Sequence, residues 1–122
     1  MDLSIIIPCY NEDKNVSIIH DAINKIFYNK KFTYEMIFVN DGSKDNTEVE
    51  LKKLVKNSKS NIKVINFSRN FGKEAAMYAG LKESSGEYVS IIDADMQQNP
   101  SLILKMLGIL EKDDSYDSVA TY

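Results

Sequence analysis

Two carboxylates separated by one small residue are the feature of this sequence best suited to chemistry. Asp93 and Asp95 flank Ala94 directly after the apolar run Tyr88–Ile92. Because alternate side chains of extended backbone point to the same side, both carboxylates can face one ligand, and small Ala94 lets a bulky ligand approach. A shared cation would relieve their repulsion, and hard oxygen donors, with Gln97 adding a neutral one, suit Mg²⁺ or Mn²⁺ beside a diphosphate. The alternative is that Asp95 caps a turn and Asp93 is a solvated strand end.

Three other polar loops follow apolar runs and could meet the same ligand. They are Pro8–Glu12, Asn40–Ser43 and Ser68–Lys73. In the second loop, Asp41 could accept the N–H of a uracil base, or it could bond only to nearby backbone in an Asx-turn. The two uses are compatible with each other.

The first loop offers an aromatic ring and a carboxylate. Tyr10 could pack on a base, or it could be a partly buried ring. Glu12 could meet a ribose or a phosphate-side group, or it could favour the first turn of a helix by its charge. Pro8 shapes the bend that places Tyr10, and Asn11 lies between the ring and the carboxylate.

The third loop carries the cations of this group. Arg69 or Lys73 could offset the charge of a diphosphate, or either could be an ordinary surface cation. Gly72 could allow the backbone to approach a ligand closely, or could merely permit a turn. Elsewhere, His20 is expected on the surface of a helix, and Cys9 is expected to be a small packed hydrophobe.

These loops need a scaffold, and the sequence alternates strand-like and helix-like segments. The predicted strands are the apolar runs Leu3–Ile7, Met36–Val39, Ile62–Phe67 and Tyr88–Ile92. Regular alternation with helices predicts an α/β domain with a mostly parallel sheet. Right-handed crossovers bring the carboxyl ends of its strands to one rim, where ligands of such sheets bind. We therefore expect all four polar loops on one rim.

Element boundaries are predicted from caps, prolines and apolar stripes. Pro8 should end the first strand. Asp13 is the expected cap of the first helix, and Thr47 with Glu50 has the spacing of a capping box for the second. The third helix should follow Gly72 and carry four apolar side chains, those of Ala75, Ala76, Ala79 and Leu81.

The last part of the chain predicts one more helix, with Pro100 in its first turn, and the opening of a further strand over Tyr116–Tyr122. A chain that stops inside a strand is expected to be truncated. It would leave an unpaired sheet edge through which homo-oligomers could form.

The composition limits the classes of function. The chain has 122 residues, of which 43% are hydrophobic and 27% charged, and a net charge of −3, as expected for one globular domain over residues 1–122. It lacks the basic excess with which proteins hold nucleic acid by charge. One cysteine suits a reducing compartment, and neither a signal peptide nor a run of about 20 apolar residues is present, so a cytoplasmic chain is expected.

Four motifs stand in a recognisable order: Ser4–Glu12, Val39–Thr47, Arg69–Ala76 and Asp93–Gln97. Their residues and spacing resemble family 2 glycosyltransferases of the GT-A fold, which has a Rossmann-like, mostly parallel sheet with flanking helices. The closest branch includes dolichol-phosphate mannose synthases and bacterial undecaprenyl-phosphate glucosyltransferases. Where the family usually has His-Pro-Pro, this chain has Gln98-Asn99-Pro100, a departure that concerns the loop and not the two aspartates.

The resemblance implies the nucleotide-sugar-binding part of such an enzyme, with a UDP-sugar as the expected donor and a 3-2-1-4 order of parallel strands. The residues expected around the nucleotide sugar are Pro8, Tyr10, Asn11, Glu12, Asp41, Gly72, Lys73, Asp93 and Ala94. The divalent metal, Mg²⁺ or Mn²⁺, is expected at the DXD motif, with Asp93, Asp95 and Gln97 around it.

The resemblance further implies sugar transfer with inversion to an acceptor, either a lipid phosphate such as a polyprenyl phosphate or a glycan, in bacterial cell-envelope synthesis. The family's catalytic base lies well downstream of the Asp-x-Asp pair, so it is expected beyond Tyr122. The chain alone is therefore expected to be inactive, and the complete protein is expected to associate with the cytoplasmic face of a membrane.

Three alternatives compete with this interpretation. A dinucleotide-binding oxidoreductase would carry Gly-x-Gly-x-x-Gly after the first strand, but Pro8–Glu12 contains no glycine. A nucleotidyltransferase would usually carry a Gly-rich, basic loop there, which is also absent. A non-catalytic nucleotide-binding module would keep the fold without turnover, and an assay of UDP-sugar turnover by the complete protein separates it from an enzyme.

Overall fold

The sheet has four parallel strands in the order β3-β2-β1-β4. The computed structural model describes residues 1–28 and 31–95. Its strands are β1 (Leu3–Cys9), β2 (Tyr34–Asn40), β3 (Asn61–Asn66) and β4 (Tyr88–Ile91). Its helices are α1 (Val16–Phe27), α2 (Thr47–Asn57) and α3 (Lys73–Glu83). The predicted α/β alternation and the 3-2-1-4 strand order are confirmed.

The two faces of the sheet are covered by different helices because successive strand residues point to opposite sides. On one face, Ile5 and Ile7 of β1 pack in a cluster with Ile19 and Ile23 of α1 and Leu51 of α2. On the other face, a smaller cluster brings together five buried residues, Ile6, Ile37, Val39, Ala76 and Ile91. The connection from β3 to β4 thus crosses the opposite face, and the reversal of strand order falls between β1 and β4.

Pro8 lies inside β1 and does not end it, contrary to the prediction. It pairs with Val39 of β2, and β1 continues to Cys9. Proline cannot donate a hydrogen bond to a neighbouring strand. It is tolerated here because the register of β1 with β4 stops at Ile6, so that β1 has a partner strand on one side only at this position.

Both predicted helix caps are wrong. The N-cap of α1 is Asn15 and not Asp13, and no side chain caps this end. Helix α2 begins at Thr47 itself, after the N-cap Asn46. The Thr47 hydroxyl is engaged elsewhere, since it donates to the Asp45 carboxylate and accepts the backbone N–H of Glu12. A local bond to Asp45 and a long-range bond from Glu12 thus take the place of the predicted capping box.

Helix α3 begins at Lys73, after Gly72, as predicted, but its buried face differs. The buried residues are Ala76 and Gly80, which are four apart, whereas Leu81 is 45% exposed. A helix turns by about 100° per residue, so Leu81 is rotated away from the face that Gly80 presents to the sheet.

His20 is buried, at 7% exposure, and not on the surface as predicted. Its Nδ1 lies 2.8 Å from Asp21 Oδ1, and its Nε2 lies 2.8 Å from the hydroxyl of Ser58 at the end of α2. The ring therefore links α1 to the carboxyl end of α2. Cys9 is a packed hydrophobe, as expected: it is 1% exposed and free.

The predicted helix from Pro100 and the predicted strand over Tyr116–Tyr122 lie outside the described residues. Within residues 1–28 and 31–95, no helix is long and apolar enough to cross a membrane.

Candidate functional site

A cavity of about 160 Å³ opens at the carboxyl ends of β1 and β4. Most residues singled out in the sequence line it: Pro8, Cys9, Tyr10, Glu12, Asp41, Lys73, Asp93, Ala94 and Asp95. They come from four stretches of sequence that lie at or after the carboxyl ends of the four strands. The expected convergence of the four polar loops on one rim is confirmed, with Asp41 and Asp95 in the same cavity.

An ion pair in this cavity joins Lys73 to Asp93. The Lys73 ammonium lies 2.8 Å from Asp93 Oδ1, with side-chain exposures of 48% and 25%. Lys73 is the first residue of α3, so its charge stands beside the positive end of the helix dipole. The pair shows that the Asp93 carboxylate faces the cavity and that its charge is balanced there by the Lys73 ammonium.

The donor chemistry of the cavity suits a hard divalent cation. Asp93 and Asp95 both line it and offer carboxylate oxygens, the ligands that Mg²⁺ and Mn²⁺ prefer. The Lys73 ammonium beside Asp93 shows that a positive charge is stable at this position. Among the described residues, no group of three or more His, Cys, Asp or Glu side chains is arranged to hold a metal. The expected third ligand, Gln97, lies outside the described residues.

A larger cavity of about 700 Å³ adjoins the first, and Tyr10 lines both. It is lined mainly by the loops after β2 and β3, and the ring of Tyr10 is 43% exposed. Arg69 lines this cavity, and its guanidinium lies 4.7 Å from the centre of the Phe71 ring. The predicted loop cation Arg69 thus lies on the larger cavity, and Lys73 lies on the smaller one.

The Asp41 carboxylate is 4% exposed and fully engaged with the loop that precedes α3. It accepts the Phe71 N–H at 2.7 Å, the Gly72 N–H at 3.0 Å and the Asn70 amide at 3.2 Å. The local Asx-type bond is made instead by Asn40, whose side-chain oxygen accepts the N–H of Ser43. Recognition of a base by Asp41 stays a prediction.

Hydrogen bonds between backbone and side-chain groups hold the loop after β1 against the loop after β2. Asn11 has φ 54°, a left-handed conformation that asparagine tolerates better than most residues. Its N–H donates to the Ser43 hydroxyl at 2.9 Å, and its side-chain oxygen accepts the Lys44 N–H at 2.8 Å. Asn11 therefore shapes the rim, while Glu12 faces the smaller cavity and accepts the Asn15 amide.

Two buried side chains of the smaller cavity have mainly structural roles. Ala94 is 1% exposed and packs in the core cluster beneath the site, so its small size fits the core as well as the cavity wall. Burial raises the pKa of the Cys9 thiol far above its ordinary value, and the nearby Glu12 charge raises it further. Cys9 is consequently no nucleophile at neutral pH.

Sequence reasoning missed Asn40, Ser43 and Asn70 as organisers of the rim. All three stand in the polar loops, and small polar residues beside a glycine are a usual signal of side chain–backbone bonding. Their partners are distant in sequence, as with Asn40 and Asn66 or Asn70 and Asp41. The residue types thus indicated bonding between side chains and backbone, but they could not indicate which loop each side chain would contact.

With this geometry in place, comparison with known proteins identifies the family. Residues 4–122 match the family model described as glycosyl transferase family 2. The chain belongs to glycosyltransferase family 2.

Among family relatives, the chain is similar to CsbB of Bacillus subtilis (strain 168), which is named as a glycosyltransferase: 47% identity over 117 residues, covering 96% of this chain and 35% of the relative. It is 35% identical over 107 residues to the bactoprenol glucosyl transferase of Shigella phage SfX, covering 88% of this chain and 35% of the relative. The chain thus spans about a third of the length of these curated relatives.

Among solved structures, the chain is similar to residues 1–349 of TarS from S. aureus in complex with UDP. The TM-score is 0.73 at 28% identity, covering 91% of this chain and 32% of that chain. The GT-A fold that the resemblance implied is confirmed. Because the chain belongs to glycosyltransferase family 2, the interpretations as an oxidoreductase domain or a nucleotidyltransferase are set aside.

Proposed function

We propose that this chain binds the nucleotide-diphosphate sugar, most simply a UDP-sugar, from which a family 2 glycosyltransferase transfers the sugar. The observation that carries the proposal is the pairing of two cavities on one rim. One holds Asp93, Asp95 and Lys73, and the other is large enough for a nucleoside. The relative of known structure in complex with UDP supports the choice of nucleotide.

The two cavities divide the donor between them. Their combined size lies in the range of small-molecule sites, about 300–1,000 Å³. We assign the base and ribose to the larger cavity, where Tyr10 can stack on the base. We assign the diphosphate to the space beside Lys73, at the amino end of α3, because the ammonium and the positive end of the helix dipole both favour phosphate there.

Asp93 and Asp95 would hold the Mg²⁺ or Mn²⁺, and Gln97 is proposed as a further ligand. When bound, the metal would neutralise the charge that develops on the leaving diphosphate. Lys73 adds a second positive charge on the same group. The chain's own contribution to the reaction is therefore to orient the donor and to stabilise its leaving group.

The second half of the reaction needs an acceptor and a base. The phage relative named as a bactoprenol glucosyl transferase supports a polyprenyl phosphate as the acceptor, and hence a reaction at a membrane surface. We place that surface on the cytoplasmic side and the reaction in cell-envelope glycan synthesis. The acceptor oxygen would attack the anomeric carbon with inversion while a base removes any proton it carries. We expect this base outside the described residues.

UDP binding tests the donor site. We expect calorimetry to show UDP binding in the presence of Mn²⁺, and its loss on adding a chelator. Asp95→Ala should weaken binding by about 10-fold, since contacts to charged groups contribute about 1.5–3 kcal/mol. Asp21→Ala, which removes an exposed carboxylate from α1, is the matched control and should bind like the parent. Metal-independent binding that Asp95→Ala leaves unchanged would refute the assignment.

A further inference from the structure

A further cavity, of about 380 Å³, lies between α1 and α2 and shares no lining residue with the two cavities of the rim. Three of its lining residues, Asp21, His20 and Ser58, form a chain of hydrogen bonds. Asp21 Oδ1 lies 2.8 Å from His20 Nδ1, and the Ser58 hydroxyl lies 2.8 Å from His20 Nε2. A carboxylate, an imidazole and a hydroxyl in this order are the groups with which many hydrolases activate a serine.

The partners of His20 fix the tautomer of its neutral ring. An ionised carboxylate can only accept, so the bond to Asp21 places the ring proton on Nδ1 and leaves Nε2 as an acceptor. The Asn24 amide nitrogen, which can only donate, also lies 3.2 Å from Nε2. The orientation of that amide is set by its oxygen, which accepts the Tyr34 hydroxyl at 2.6 Å. Nε2 therefore accepts the proton of the Ser58 hydroxyl.

Ser58 is the C-cap of α2, but its hydroxyl is not used as the hydroxyl of the corresponding serine in α3 is. Ser84, the C-cap of α3, donates its hydroxyl to the Leu81 oxygen of its own helix at 2.7 Å. The Ser58 hydroxyl faces His20 instead, and the Ser60 N–H, at 3.1 Å, holds its oxygen in place. The two C-cap serines thus form a matched pair, one with a base and one without.

The surroundings of His20 favour the positive charge that it would gain by taking up the Ser58 proton. The ring is 7% exposed and lies against the carboxyl end of α2, where the helix dipole is negative. The Asp21 carboxylate adds a full negative charge, although its side chain is 75% exposed and the charge is therefore partly screened.

We propose that Ser58 is an acyl-acceptor site, at which its hydroxyl takes an acyl group from a small activated ester. The Ser58 Oγ forms a bond to the carbonyl carbon while His20 Nε2 takes the hydroxyl proton. The bond from that carbon to the leaving oxygen then breaks, and His20 returns the proton to the alcohol that departs. Asp21 is a positioning residue, since it acts through the His20 ring.

The cavity suits a small acyl group. Its volume lies in the range of small-molecule sites, about 300–1,000 Å³. Leu54 supplies apolar surface, and Lys53, with a side chain 63% exposed, supplies a positive charge for a carbonyl oxygen that becomes negative during attack. No residue of either rim cavity takes part, so the inference is independent of the proposed donor site.

The experiment exposes the folded chain to p-nitrophenyl acetate and follows acetylation of each serine over time by peptide mass spectrometry. The measured quantity is the rate at Ser58 relative to the rate at Ser84 in the same molecules. The variants are Ser58→Ala, His20→Gln, Asp21→Ala and Asp21→Glu. Circular dichroism checks that each variant is folded.

We expect Ser58 to be acetylated about 100-fold faster than Ser84, because a positioned general base typically contributes about 10²–10⁴-fold. His20→Gln should bring Ser58 down to the rate of Ser84, and Ser58→Ala should abolish the fast reaction. Asp21→Ala should slow it by about 2- to 5-fold, since an exposed carboxylate stabilises a neighbouring charge only modestly. Asp21→Glu keeps a carboxylate on this turn and should retain most of the parent rate.

Two results would overturn the inference. One is that Ser58 and Ser84 of the parent chain react equally slowly. The other is that fast acetylation of Ser58 persists in His20→Gln. If His20→Gln fails to fold, the exposed Asp21→Ala decides the matter, and an unchanged ratio of the two rates in that variant contradicts activation through His20.

Discussion

Glu35 is a buried carboxylate near the start of β2, at the end of the sheet away from the rim. Its side chain is 2% exposed and accepts hydrogen bonds from Ser4 and Ser85, with the Lys63 ammonium 3.1 Å from Oε1. Burial alone would raise its pKa, but these bonds outweigh burial and lower the pKa from 4.5 to about 2. Glu35 thereby ties the loop after α3 to the first two strands.

This shift in pKa predicts acid-dependent stability. Because the folded pKa lies below the unfolded one, the contribution of Glu35 is fully present above about pH 4.5 and is lost as the pH falls toward 2. We expect Glu35→Gln to lower the free energy of unfolding at pH 7 by on the order of 2 kcal/mol. It should also flatten the dependence of that free energy on pH across this window.

Urea denaturation at a series of pH values measures both effects. Glu87→Gln changes an exposed glutamate before β4 and should leave the stability profile as in the parent. An unchanged acid dependence in Glu35→Gln would contradict the assignment of this dependence to Glu35.

At the scale of secondary structure, α3 depends on a glycine that faces the sheet. Gly80 is buried, and a Cβ on it would lie 2.5 Å from Cγ2 of Ile6 in β1. Ala76, one turn earlier, is also fully buried. Small side chains on this face let the helix lie close to β1 and β2. This packing places Lys73, the first residue of the helix, at the rim.

Gly80→Ala should therefore destabilise the chain although alanine favours helices. The gain in helix propensity is about 1 kcal/mol, whereas overpacking costs about 1–3 kcal/mol, so we expect a net loss of on the order of 1 kcal/mol. Ile6→Ala removes the atoms that the new Cβ would meet. The double variant should accordingly lose less stability than the sum of the two single losses.

Thermal denaturation of the parent, the two single variants and the double variant measures this coupling. Lys82→Ala, on the exposed part of α3, controls for the effect of alanine on the helix itself. Strictly additive losses would show that Gly80 and Ile6 do not constrain each other.

At the scale of the whole molecule, the strand order places the site. Helices α1 and α2 cover one face of the sheet and α3 the other, so the connections diverge between β1 and β4. In open α/β sheets this divergence leaves a crevice at the carboxyl ends of the strands. The loop that carries Tyr10 and the loop that carries Asp93 face each other across it.

We predict that the 122-residue chain by itself binds UDP weakly and transfers no sugar. The donor loops are within it, but we expect the base and the acceptor site elsewhere, and removal of a general base alone typically costs about 10²–10⁴-fold in rate. The assay follows UDP release from several UDP-sugars with Mn²⁺ and a polyprenyl phosphate. Acceptor-dependent turnover by the purified chain would show that its own residues include the base.

Local patterns in the sequence determined the order of strands and helices, because a buried parallel strand requires a continuous apolar run and a helix an apolar stripe. The same patterns determined which loops gather at the rim, since parallel strands end on the same side. The position of Asp93 and Asp95 after a buried strand was thus enough to predict a shared site with Asp41. The 3-2-1-4 order came from the family resemblance.

Only the tertiary structure decided the partners of the individual side chains. In the folded chain, His20 is buried against Ser58, and Pro8 lies inside β1 opposite Val39. The Asp41 carboxylate accepts the Phe71 N–H of the loop before α3, and the Lys73 ammonium contacts Asp93. Each of these contacts joins residues 20 or more positions apart. Spacing along the chain carries no information about such pairs, because they depend on how helices and loops pack across the sheet after the strands have aligned.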